Sequence, residues 1–95
     1  MYEYWMVKTN VSPMGGRATC SIDRCVAEDE ESIPVSEITY FHAGGFSEIQ
    51  IMKTRGDAWA AVEKWRDSGR WDAFRIYEDT ELVEQLHDYC FAERI

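Results

Sequence analysis

"GDAWAAVEKWRDSG", residues 56–69, is the stretch on which the reading of the fold turns. Before it, the chain alternates apolar and polar side chains at the period of a strand. Here Ala58, Ala61, Val62 and Trp65 recur at three- and four-residue spacing, the period of a helix. Thr54 or Asp57 supplies a capping oxygen at the start, and Gly69 stands where the helix ends. A helix is therefore expected over residues 56–69, with strands on both sides of it.

Upstream, "YEYWMVKT" (Tyr2 to Thr9) is aromatic and β-branched on both alternating faces and reads as a strand. Pro13 and the pair Gly15-Gly16 mark a turn. "ATCSIDRCVA" (Ala18 to Ala27) then places Cys20 and Ile22 on one face and Thr19, Ser21 and Asp23 on the other, so the two segments form an antiparallel hairpin. "EITYFH" and "FSEIQIMK" flank Ala43-Gly44-Gly45 as a second hairpin. In it Ile49 and Ile51 are expected to face the core, with Glu48 and Gln50 toward water. Downstream, "AFRIYE" (Ala73 to Glu78) alternates again, with Phe74 and Ile76 inward. "TELVEQLHDYCFAER" (Thr80 to Arg94) carries Leu82, Leu86, Tyr89 and Cys90 at helical spacing, capped by Asp79 or Thr80. The expected class is α+β: an antiparallel sheet of about five strands with two helices packed on one face, ββββαβα.

All 95 residues read as a single compact domain. Four Trp, five Tyr and four Phe give it the material for one core. The start carries no signal-peptide pattern, and no apolar run is long enough to cross a membrane as a helix. An odd count of three cysteines fits a reducing compartment, so a cytoplasmic location is expected.

Cys20, Cys25, His87 and Cys90 are of the types that build a tetrahedral zinc site. Cys20 belongs to an alternating strand and Cys90 to an apolar stripe, however, so core thiols are the expectation, with no metal or other cofactor. Glu84 and Asp88 flank the His87–Cys90 pair and disfavour a thiolate. His42 ends a strand beside a glycine turn, and the paired glycines match neither a phosphate loop nor a dinucleotide fingerprint. No catalytic residue is expected, and no small-molecule substrate. Trp71 and Tyr77, next to Arg70 and Arg75, suggest an aromatic–arginine strand edge that could serve a small adaptor module.

Charge is the remaining lead. The chain holds 18 acidic and 10 basic side chains, a formal charge of −8, which repels a phosphate backbone. Glu28, Asp29, Glu30 and Glu31 are consecutive. From Glu78 to Glu93 there are six acidic residues and no Lys or Arg, whereas Lys53 to Arg75 carries six basic and four acidic ones. On a helix, Glu81, Glu84 and Asp88 would share a face, with a charge spacing close to that of a nucleic-acid strand.

On "AEDEE" and "YEDTELVEQLHD", the chain resembles the small acidic anti-CRISPR proteins encoded by phages. That resemblance implies a non-enzymatic inhibitor acting in a bacterial host cell. Its partner would be a protein complex with a basic nucleic-acid-binding surface. The segregation of charge, not the resemblance, points to Glu28, Asp29, Glu30, Glu31, Glu81, Glu84 and Asp88 as the residues that would grip it.

Overall fold

In the computed structural model the described residues are 1–12, 14, 16–34, 37–79 and 81–85. Six strands and one helix follow in the order β1 (Tyr2–Ser12), β2 (Arg17–Ala27), β3 (Ile38–His42), β4 (Gly45–Met52), α1 (Arg55–Asp67), β5 (Ala73–Glu78) and β6 (Glu81–Gln85). They build one sheet in the order β3-β4-β1-β2-β5-β6. No helix among the described residues is long and apolar enough to cross a membrane.

Both expected hairpins form. β1 and β2 pair antiparallel from Tyr2↔Ala27 to Ser12↔Arg17. β3 and β4 close at His42↔Gly45, with Gly44 at φ 92 taking the left-handed position of the turn. Gly45 lies so close to β1 that an added Cβ would stand 1.8 Å from the Val11 carbonyl oxygen. Only a residue without a side chain fits there.

Helix α1 starts where the capping chemistry directs it, with the Thr54 hydroxyl accepting from the Asp57 N–H at 3.0 Å. It ends with Ser68, whose hydroxyl donates to the Trp65 carbonyl at 2.8 Å. Its Ala58 and Val62 are fully buried on Val7, Val11, Ala18, Cys20, Ile22, Phe74 and Ile76. Trp5, Phe46, Met52, Trp59, Trp65 and Trp71 close the margins of this core. Thr9, its one buried strand polar residue on this face, exchanges a hydrogen bond with the Cys20 sulfur at 3.3 Å.

Three expectations are corrected. The sheet is mixed rather than antiparallel, because β5 returns through α1 and pairs parallel to β2, from Arg17↔Ala73 to Ile22↔Glu78. The second helix is not formed over residues 81–85. That segment is strand β6, paired with β5 from Glu78↔Glu81 and shifted by an irregularity at Ile76/Tyr77. Asp79, at φ 50, makes the tight reversal and sends the chain back along β5 before a helical turn can start. Residues 86–95, with Leu86, His87, Asp88, Tyr89 and Cys90, lie outside the described residues.

The third correction concerns β4. Its helix-side residues pair with Val11, Thr9 and Val7 and are Phe46, Glu48 and Gln50. Ile49 and Ile51 therefore lie on the sheet face opposite α1, and the polar pair faces the helix layer. A 13-residue helix is about 20 Å long and about 10 Å wide. Six strands at about 4.8 Å spacing are far wider, so α1 leaves the β3–β4 flank of its own face open.

A candidate acidic interface

The C-terminal ends of β2, β4 and β5 point the same way, because β4 and β5 both run parallel to β2. At these ends, in the segments that follow them and at the start of β1 stand Glu3, Glu28, Asp29, Glu30, Glu31, Glu37, Asp57, Glu78, Asp79 and Glu81 among the described residues. Against these ten carboxylates are Arg24, Lys53 and Arg55, a balance of −7. At the opposite end are Arg17, Arg66, Arg70 and Arg75 with Asp67 and Asp72, a balance of +2. The described residues are polarised along the strands.

The first acidic segment is an ordered projection. Asp29 caps a 3₁₀ turn over Glu30–Ser32, its carboxylate accepting from the Ser32 N–H and hydroxyl, each at 2.8 Å. Glu28, Glu30 and Glu31 are exposed and make no ion pair among the described residues. They keep their charge available.

The second segment is put to a different use. Glu78 accepts a two-pronged contact from Arg55, at 2.8 and 2.7 Å, and a third from the Trp59 indole N–H at 3.0 Å. Arg55 also lies 5.8 Å from the Trp59 ring centre. These bonds, Arg55 first, hold the Glu78 carboxyl below its ordinary value despite partial desolvation. Asp79 accepts from the Arg24 N–H at 3.3 Å, while its own N–H donates to the Ile22 carbonyl at 2.9 Å. The tip of the β5–β6 hairpin is thus pinned beside β2 at Ile22 and Arg24, several residues short of the strand end from which Glu28–Glu31 project. Glu81 is exposed there. Glu84 takes the register position opposite Ile76, farther along β6, so Glu81 and Glu84 do not form a helix face; Asp88 lies outside the described residues.

Trp71 and Tyr77 are separated. The Trp71 ring packs against Phe74 at 5.7 Å and its indole N–H donates to the Trp65 carbonyl at 3.2 Å, so it closes the core. Tyr77 lies on the face of β5 opposite Phe74 and Ile76, and β5 is flanked by β2 and β6 rather than being an edge. Arg75 is exposed on that same face.

Cys20 and Cys25, five positions apart in one strand, point to opposite sheet faces and cannot share a metal. Among the described residues no three His, Cys, Asp or Glu side chains converge on a metal position. Burial first, with Glu48 adding to it, pushes the Cys20 thiol up to about 11, the Thr9 hydrogen bond offsetting part of this. It is a neutral core group. His42 is tied into the sheet by a contact the sequence did not signal. Its Nε2 lies 3.1 Å from Ser47 Oγ, and Ser47 donates to Asn10 Oδ1 at 2.5 Å. With the hydroxyl proton committed to Asn10, Ser47 accepts from His42 and is not poised as a nucleophile. Its 5% exposure leaves no approach for a substrate.

Comparison of the chain with protein-family models, with curated proteins and with solved structures gives no match in any of the three.

Proposed function

We propose that this chain is a non-catalytic inhibitor that docks, through the acidic end of its sheet, on a basic nucleic-acid-binding surface of another protein. The observation that carries the reading is the polarity of the described residues, −7 at one end of the strands and +2 at the other. Glu28, Asp29, Glu30, Glu31 and Glu81 supply the docking charge. Glu78 and Asp79 hold the hairpin tip against β2 at Ile22 and Arg24. Such a field steers a cationic partner onto one end of the chain and occupies the groove that a phosphate backbone would use. The resemblance to small anti-CRISPR inhibitors names one class of target, an RNA-guided surveillance complex in a bacterial cell.

The test is a pull-down from bacterial lysate at low and at near-physiological ionic strength (about 0.15 M), followed by competition with duplex DNA. A nucleic-acid-binding protein should be retained at low salt, weakened by added salt and displaced by DNA. Retention of a partner that neither salt nor DNA displaces would refute the reading.

A further inference from the structure

The flank of the helix-side face that α1 leaves open is a groove of about 620 Å³ between α1 and β4. Met52, Ala61 and Trp65 give it an apolar lining, and Glu37, Glu48 and Asp57 give it negative charge. Its one cation is Lys64, on the helix wall. Two acceptors stand on its floor. Glu48 is half-buried and has neither a hydrogen bond nor an ion pair among the described residues. Two residues along the same strand face, the Gln50 side chain donates its Nε2 to Glu37 at 3.4 Å, leaving a buried Oε1 without any partner. A folded chain rarely leaves such a buried acceptor as Gln50 Oε1 unpaired. The strand alternates without a break and turns its polar pair, Glu48 and Gln50, to this face.

We propose that this groove seats one arginine side chain of the docked partner, its guanidinium meeting Glu48 and Gln50 Oε1 and its stem lying on Met52, Ala61 and Trp65. The inference rests on the binding reading above for the choice of a protein as occupant, and it adds the anchor that charge steering alone lacks. The chemistry selects the residue. The occupant must be cationic, must bring several N–H donors to two acceptors about 7 Å apart along a strand, and must carry an apolar stem. A single metal ion is cationic but brings no N–H donors and no apolar stem, and among the described residues no three carboxylate, His or Cys side chains converge to hold one. An ammonium is a point charge that satisfies one acceptor well. A guanidinium spreads five donors over a plane and stacks on an indole ring.

The experiment is an NMR titration of the full chain with N-acetyl-arginine amide, following the Trp65 indole and Met52 methyl signals. N-acetyl-lysine amide and N-acetyl-norleucine amide serve as the comparison probes. Saturable shifts are expected with arginine, weaker ones with lysine and none with norleucine. Glu48→Gln should weaken arginine binding about tenfold while leaving the fold intact. Lys64→Met should strengthen it, because the competing cation is gone. Charge reversal of Glu28, Glu30 and Glu31 should leave it within about twofold. Absence of saturation, an equal response to norleucine, or indifference to Glu48→Gln each overturns the proposal. If the groove is silent while the intact chain still captures a DNA-competed partner, the arginine seat fails and the acidic-end reading stands. If arginine binds here and no such partner is captured, the reverse holds.

Discussion

The two ends of the sheet are held together by different physics. At the acidic end the joints are polar: Arg24 with Glu3, Arg55 with Glu78, Trp59 with Glu78, and Asp79 with the backbone of β2. At the other end they are steric and apolar: Gly45 against the Val11 carbonyl, Gly69 under the Trp71 ring, Trp71 on Phe74, and Phe46 on Trp65. A surface that must stay wet and charged to meet a partner cannot be sealed with large apolar side chains. It is fastened instead by largely exposed ion pairs and hydrogen bonds, and the packing is concentrated at the opposite end. The ends should therefore respond to different perturbations.

The largest effect should come from the packed end. Gly45→Ala forces a Cβ into a backbone carbonyl that cannot move without breaking the β1–β4 ladder. It should lower unfolding stability by about 3 kcal/mol or more in urea titration. Trp71→Ala should cost about 3 kcal/mol by the same measurement, through lost packing on Phe74 and the lost bond to Trp65. If Trp71→Ala abolished partner binding with stability unchanged, the ring would be a contact residue and the contrast between the ends would fail.

The polar end should answer more weakly, and to pH. The folded-state carboxyl of Glu78 lies below its ordinary value of 4.5, with the Arg55 hydrogen bonds as the main cause. Its contribution is therefore present above the unfolded value and is lost as pH falls through the folded one. Glu78→Gln should cost about 1 kcal/mol at neutral pH, since Arg55 is largely solvent-exposed and screened. It should also flatten the acid limb of the stability curve. A variant whose acid limb matched that of the parent would remove Glu78 from the account. The smallest effect concerns thiols. In native protein Cys25, which is partly exposed, should react with an alkylating reagent well before Cys20, whose thiol is buried and raised to about 11. Mass spectrometry of partially labelled chain decides the order.

Much of the scaffold was legible in local pattern. The alternation of Cys20 and Ile22, the Ala43-Gly44 turn and the Ala58–Trp65 stripe each dictate their own element, and each element forms. What periodicity does not carry is which strands meet. The parallel pairing of β2 with β5 depends on α1 crossing the face, a long-range event with no signature in either strand. β6 was misread because Glu, Leu and Gln are good helix formers and Leu82 and Leu86 fit a helical stripe. Pairing with β5 overrides that preference over residues 81–85. The orientation of β4 was inverted for a more telling reason. A rule that puts isoleucines inside and glutamates outside fails at Glu48 and Gln50 because the helix does not reach them. Rules of this kind fail where a surface is kept for another molecule. On the acidic end, the projection of Glu28–Glu31 was visible as a charge run. The structural employment of Glu78 by Arg55 and Trp59 was not, since those residues are far apart in sequence.

The contrast between the ends comes down to one paired measurement. Binding to the captured partner is compared for two charge-reversal variants, Glu28→Lys/Glu30→Lys/Glu31→Lys and Arg17→Glu/Arg70→Glu/Arg75→Glu, across a range of salt. The first should lose about tenfold or more in affinity and most of its salt dependence, and the second should bind as well as the parent or better. Equal losses in the two variants, or no loss in the first, would contradict an acidic docking end.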